Sequence, residues 1–392
     1  MPSTSSALPP PTKGWDTRES LADMPVDRAI KLVNWFPESD KITVRRGSSD
    51  HVTGMTGAVE TLITYTPTTG TGRLFAAANN ALYDVTAAGA VGSAVSTGHS
   101  NNRWQHVMMG TSGGQFVRLF NGADTPLLYN GSSWATTAIT GSGLTAANLI
   151  WGNLHQRRLW VGEEDSLSAW YLGVNSVSGA ATEFPLAGIA SKGGYIQAMG
   201  TWTRDSGAGQ DDVAVFLTSE GEAIVYSGTD PAAAATWQLV GVFAIGKPIG
   251  RRCIVKAGSD IILMTQDGFV PLSGILSMDR SQSRLVALSD QIAQAVNTAV
   301  RSYGGIYGWQ PILYPKSTML IFNIMQSTTT SHQYVFNTIS GAPCQFTGMN
   351  AVCFGMLDDD MYFGTSAGKV IKFDDGTSDS GADIEADALQ AF

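Results

Sequence analysis

Seven stretches of this chain repeat one pattern: an apolar strand, a polar turn rich in Gly, Asn, Asp and Ser, and a second apolar strand. They are Arg73–Val85, Val117–Gly131, Arg158–Gly173, Val213–Gly228, Ile261–Gly274, Thr318–Thr338 and Asp360–Gly376. Their turns fall near positions 79, 124, 165, 220, 267, 329 and 367, with gaps of 45, 41, 55, 47, 62 and 38 residues. One hairpin cannot bury its own apolar face, whereas a ring of four-stranded sheets can. A hairpin recurring every 40 to 50 residues or so has the period of a β-propeller blade. The pattern predicts an all-β chain: a β-propeller over residues 51–376. It has seven blades if every hairpin is a blade, and six if one hairpin belongs to an appended region.

Composition agrees with a turn-rich β protein. Charged residues are 15% of the 392, and Gly is 44 of them; ordinary soluble domains hold about 25% and 7%. Low charge also suits a surface covered by partner subunits. The formal net charge of −9 argues against wrapping nucleic acid by phosphate neutralisation, which needs clustered Lys and Arg. It does not argue against a channel through which nucleic acid slides without sticking. Cys253, Cys344 and Cys353 form neither a disulfide framework nor zinc-ligand spacing, and read as small buried strand residues. The first residues lack the charged and apolar regions of a secretory signal. No run of 18 apolar residues exists, so no membrane insertion by this chain is expected.

Outside the repeats three segments stand apart. Residues 1–50 read as an N-terminal arm and docking segment. Its Pro9–Pro11 stretch favours an extended backbone, disordered or laid across a neighbour, and Ile42–Arg45 alternates like a strand before a turn at Gly47–Ser49. Leu285–Tyr303 is the one convincing helix, with Leu288, Ile292, Val296 and Ala299 on one face, Ser289 or Asp290 as cap and Gly304–Gly305 as stop. Inserted between two blades, it either packs on the disk or docks a partner. Residues 377–392 read as an acidic loop and a terminal strand. That strand either pairs beyond Phe392 or returns to the N-terminal segment to close the ring.

Catalytic and metal patterns are not found in the sequence. The five histidines show no H-x-H or H-E-x-x-H spacing, and no phosphate-binding loop occurs. G-x-S-x-G is matched at Gly110–Gly114 and Gly364–Gly368, but each match sits in a hairpin stretch and not on the strand-to-helix elbow that the chemistry needs. Glu163–Asp165 and Asp358–Asp360 are turn acids that could flank a glycosidic bond, and read first as solvated turns. Asp358–Asp360 or Asp374–Asp375 could take calcium, although the ligand spacing of a known loop is missing. The pairs Arg45–Arg46, Arg157–Arg158 and Arg251–Arg252 read as subunit-contact ion pairs or as exposed strand ends. No cofactor is expected, and the chain is read as a non-enzyme.

The N-terminal block Gly14–Arg18, Met24–Pro25, Asn34–Pro37 and Val44–Gly47 resembles the opening of a family of tail proteins from short-tailed bacteriophages. Leu82–Thr86, Arg103–Gln105 and Pro126–Gly131 are also similar to that family. It comprises the tail nozzle, or tail tubular protein B, and more distantly the packaged-DNA stabilisation proteins. The resemblance implies a structural virion protein, made in the host cytoplasm. It would form a homo-hexameric ring below the portal and adaptor, hold the genome in, and pass double-stranded DNA at ejection. Implied partners are the adaptor and the tail fibre or spike proteins. Candidate partner contacts are Trp15, Arg18, Trp35, Phe36, Arg45 and Arg46. Six copies would carry roughly −54 formal charges, which favours transit without adhesion. The gate is expected in polar inter-blade loops, at Arg204, Asp205, Gln210 and Asp211 and at Gln326 and Thr329. The alternative reading is a carbohydrate-binding propeller or glycosidase acting at a cell surface.

Overall fold

The computed structural model describes residues 8–205, 210–276 and 286–391. Seven blades form one closed ring. Blade 1 is built from Thr61–Tyr65, Arg73–Ala78, Ala81–Asp84 and Ala94–Thr97, and blade 2 from Gln105–Thr111, Gly114–Phe120, Leu127–Tyr129 and Trp134–Thr136. Blade 3 holds Leu149–His155, Arg158–Glu163, Ser168–Tyr171 and Thr182–Pro185. Blade 4 holds Ile196–Asp205, Gln210–Thr218, Glu222–Gly228 and Trp237–Ala244. Blade 5 pairs three strands among the described residues, Ile254–Ala257, Asp260–Thr265 and Gly268–Pro271. Blade 6 starts with Gln310–Tyr314, Met319–Met325, Ser331–Asn337 and Pro343–Phe346. Blade 7 takes Ala351–Leu357, Asp360–Thr365 and Val370–Phe373 from the end of the chain. Neighbouring blades touch through their inner strands, and blade 7 returns to blade 1.

All seven repeating hairpins occupy the same place: each is the turn between the second and third strands of its blade. Their turn chemistry explains the regular signal. Asn79 and Asn80 both take left-handed backbone (φ 48° and 58°), the requirement of a tight two-residue hairpin. The longest gap, between the turns of blades 5 and 6, carries the helix Ala293–Tyr303, preceded by a 3-10 turn at Asp290–Ile292. Ile292, Val296 and Ala299 are buried against blades 5 and 6, so the helix packs on the disk. Leu288 is exposed and precedes the helix, and Ser289 does not cap it. The Ser289 hydroxyl instead accepts the Phe269 N–H at 3.0 Å.

Both termini enter the ring, so the boundary expected at residue 50 falls inside a strand. Ser48–Thr53, which overlaps the turn expected at Gly47–Ser49, is the fourth strand of blade 7, antiparallel to Val370–Phe373. The disk is thus closed by strands from opposite ends of the chain. Lys31–Val33 extends blade 6 parallel to Pro343–Phe346, and Asp387–Leu389 pairs antiparallel with Lys31–Val33. The terminal strand therefore finds its partner in the N-terminal segment.

The core is a set of apolar wedges between adjacent sheets. Between blades 3 and 4 lie Trp160, Phe184, Phe216, Tyr226 and Trp237; Trp160 and Trp237 stack with centroids 5.6 Å apart. Between blades 1 and 2 lie Phe75, Tyr129 and Trp134, with Phe75 and Trp134 edge to face at 5.2 Å. Each such pair contributes about 0.5–1.5 kcal/mol beyond its area burial.

Candidate functional site

The N-terminal block is built onto blades 6 and 7 of its own chain. Trp15 is buried: its Nε1 donates to the Ile30 carbonyl at 2.9 Å and its ring meets Tyr334 edge to face at 5.4 Å. Gly14 sits so close to Pro343 that a Cβ there would lie 2.3 Å from its carbonyl oxygen. The Thr17 N–H donates to the Gln291 carbonyl, and Arg18 pairs with Asp290 at the start of the helix. Phe36 is buried beside Phe346, Trp35 is half-buried, and Arg45 is buried. Arg46 keeps its side chain 60% exposed. The arm is likewise laid on its own chain from residue 8 onward, with Gln390 donating to the Pro9 carbonyl at 3.0 Å. Of the six candidate contacts, Arg18 and Arg46 are exposed, while Trp15, Phe36 and Arg45 are used internally.

The expected gate loops are not inter-blade connections. Arg204 and Asp205 end the first strand of blade 4, and Gln210 and Asp211 begin its second. Asp205 pairs with Gln210 and Arg204 with Asp211, around residues 206–209, which lie outside the described residues. Gln326 and Thr329 belong to the second-to-third-strand turn of blade 6. That turn is compact, with the Gln326 N–H donating to Thr330 at 2.9 Å and Ser327 bonded to Thr330. Strand alternation places the first turn of a blade on one face of the disk. The second turn, together with the blade-to-blade crossovers, lies on the other. The two candidates therefore emerge from opposite faces.

The turn acids and arginine pairs are largely engaged within the chain. Glu163 accepts the Thr145 N–H at 2.8 Å, and Glu164 pairs with Arg251 at 2.6 Å. Asp358 and Asp359 form a left-handed turn, and Lys316 and Lys372 hold the Asp360 carboxyl below its usual range by hydrogen bonding. Arg158 reaches Asp230 in blade 4 at 3.0 Å, and Arg157 bonds Asn175 at 3.1 Å. Cys253, Cys344 and Cys353 are free and buried. Among the described residues no three metal-ligating side chains converge, and no helix is long and apolar enough to cross a membrane.

Sequence reasoning missed the axis of the disk. A cavity of about 220 Å³ runs there, lined from all seven blades, with Leu62, His106, Gly152, Met199, Gln310 and Phe354 among its walls. Arg251 and Arg252, at the entry to blade 5, line it too. On the crossover face it meets a mouth of about 460 Å³ lined by Arg103, Gln197, Arg251 and Tyr307. The Tyr307 ring lies between two guanidinium groups, 4.6 Å from Arg103 and 5.3 Å from Arg252. His106 is exposed to this cavity, and its enclosure by the surrounding blades together with the Arg252 charge lowers its pKa. A duplex whose major groove alone is about 12 Å wide does not fit such a cavity. Any DNA path must therefore lie outside the disk's own axis.

A second surface lies on the rim. The outer strand of blade 4, Trp237–Ala244, carries no charged residue and exposes Leu239, Val240 and Val242. Two to three blades away, where the N-terminal segment meets blades 6 and 7, a groove of about 360 Å³ is lined by Phe36, Val44, Arg46, Met319, Ile339 and Asp374, among others. Val44 and Ile339 are exposed there, Ile339 at 79%.

No family model matches the chain, and no curated protein matches it. Solved structures similar to it include BBS1N in complex with ARL6DN, in a lead-soaked crystal (TM-score 0.54) and a mercury-soaked one (0.51). Each is 11% identical over 87% of this chain and 100% of that one. The computationally designed Ika8 protein is also similar, with TM-score 0.43 and 10% identity over 83% of this chain and 99% of its own. At these identities the likeness to BBS1N concerns architecture, and the fold it supports is the seven-bladed β-propeller.

Proposed function

We propose that this chain is a structural ring-forming subunit of a bacteriophage tail, of the nozzle type, that retains the packaged genome and opens at ejection. The observation that carries the reading is the pair of unlike surfaces on the rim. A closed ring repeats one heterologous contact, which needs two different patches on each subunit. The uncharged edge of blade 4 and the Val44–Ile339 groove are two to three blades apart in a ring of seven, so they face different directions. An exposed apolar edge strand is primed to pair with another chain. The N-terminal block that carries the family resemblance forms one wall of the groove, which ties the resemblance to the contact. In such a ring the DNA passes through the lumen between subunits. The first-to-second-strand connection of blade 4, where Arg204 pairs with Asp211, is the better candidate to line that lumen, since the Gln326–Thr329 turn is closed on itself.

Negative-stain imaging of the purified chain, alone and on isolated portal–adaptor assemblies, tests the proposal. A hexameric ring is expected in at least the second sample. Its absence from both would overturn the reading, and cleavage or binding of surface glycans by the isolated chain would favour the carbohydrate alternative.

A further inference from the structure

The mouth and axial cavity hold an unbalanced set of charges. Arg103, Arg251 and Arg252 converge there with two carboxylates. Glu60 takes Arg103 at 3.0 Å and Glu164 takes Arg251 at 2.6 Å. Arg252 is left with neutral acceptors among the described residues. Its guanidinium donates to Thr61 Oγ1 at 2.7 Å, to the Glu60 and Trp104 carbonyls at 3.1 Å each, and to Gln310 Oε1 at 3.3 Å. Arg252 is half-buried and lines the cavity, so its positive charge faces that space with no carboxylate bonded to it among the described residues. Here the missing charge lies beside an open cavity that a solute can enter from the mouth.

We propose that the axial cavity binds a small oxyanion, a carboxylate or phosphate, anchored on Arg252. Guanidinium groups favour such ligands because their forked donors match two oxygens at once. His106, in the same cavity, supplies one further N–H as a neutral imidazole, and Gln105 lines the wall beside it. The size of the space sets the ligand class. At about 30 Å³ per water, 220 Å³ holds a handful of solvent-sized groups, enough for a free oxyanion and too little for a folded partner. The competing reading makes Arg252 a purely structural bridge that ties blade 5 to blades 1, 2 and 6 across the axis.

Calorimetric titration of the full chain with inorganic phosphate and, separately, with acetate tests the site and distinguishes the two chemistries. One saturable site is expected for at least one of them. Arg252→Gln should weaken it tenfold or more. Gln310→Glu places a carboxylate within reach of Arg252 and should also weaken it tenfold or more, because the guanidinium then has a counter-charge of its own. Arg301→Gln, outside the axis, should leave binding unchanged. If Arg252→Gln fails to fold, Gln310→Glu still decides the matter. Absence of saturable binding at 10 mM-scale ligand (roughly 3 kcal/mol of affinity at the limit of detection), or binding that survives Gln310→Glu, would overturn the proposal. Neither result bears on ring formation, which rests on the rim.

Discussion

Arg45 and Asp379 form a two-pronged ion pair across 334 residues of sequence: Nη1 donates to Oδ1 at 3.0 Å and Nη2 to Oδ2. The Arg45 side chain is fully buried. Its Nε donates to Asn34 at 2.9 Å and its remaining hydrogens reach the Arg46 and Thr347 carbonyls at 3.1 Å each. The pair locks the N-terminal segment, blade 6 and the C-terminal loop together. Removing one partner of such a pair strands a buried charge, which costs about 3–5 kcal/mol. Asp379→Ala should destabilise the chain by roughly 3 kcal/mol. The double variant with Arg45→Met should recover part of that loss. Urea denaturation of the four proteins of the cycle gives the coupling, and strictly additive effects would contradict the arrangement.

Gly47 approaches the C-terminal loop so closely that a Cβ would lie 2.1 Å from the Ser378 carbonyl oxygen. The obstacle is backbone on both sides, so it cannot rotate away. Gly47→Ala should cost about 2 kcal/mol and lower the thermal midpoint. Gly92→Ala, where nothing lies within 4 Å of the added methyl, is the matched control.

His155 and His332 are buried, and desolvation lowers each pKa to about 4. Their unfolded value is near 6.5, so the unfolded state binds more protons between these limits. Stability is then full above about pH 6.5 and falls as pH drops towards 4, by up to roughly 3 kcal/mol per histidine. The lowered carboxylates Asp50, Asp124 and Asp360 add their losses only below about pH 4. Equilibrium unfolding at pH 7.5, 6 and 5 should show the slope, and His332→Gln should flatten it. A curve that is level over this range would exclude neutral buried histidines.

All three thiols are buried, and desolvation pushes Cys253 and Cys353 up to about 12 and Cys344 well above its usual value. A thiol-specific chromogenic reagent at pH 8 should therefore label none in the native chain and all three in denaturant.

The proposed ring contact carries its own prediction. Leu239→Lys places a charge on the exposed edge of blade 4, where a surface substitution should change stability by no more than about 0.5 kcal/mol. Ring assembly, read by sedimentation or imaging, should drop sharply at unchanged Tm. Assembly that is indifferent to Leu239→Lys and Val242→Lys would move the contact elsewhere.

The sequence carried the blades well because each repeat reports on itself. The continuous apolar run Val213–Leu217 and the left-handed turn at Asn79–Asn80 are local properties, and local properties are visible without a fold. Closure was not legible for the opposite reason. Ser48–Thr53 reads SSDHVT, a polar stretch with no strand signal of its own, and becomes a strand only because Val370–Phe373 presents a free edge. Long-range register leaves no mark on one of its partners alone. Trp15 and Phe36 looked like exposed contacts because nothing near them in sequence buries them; Tyr334 and Phe346 do so from three hundred residues away. Arg251 and Arg252 were visible as a pair but not as axial residues, because each blade contributes only one to three residues to the tunnel.

Closure by Ser48–Thr53 also has a consequence in time. The strand leaves the ribosome roughly 320 residues ahead of the edge it pairs with. At about 5–20 residues per second, the wait for Val370–Phe373 lasts on the order of 15–60 s. During that interval blades 1 to 6 can form while both ends of the arc stay open. A nascent disk of this kind presents a sticky edge at each end to its neighbours on the same polysome. The final strand exchange is then both the last step of folding and the moment at which the subunit stops competing with its siblings for a partner.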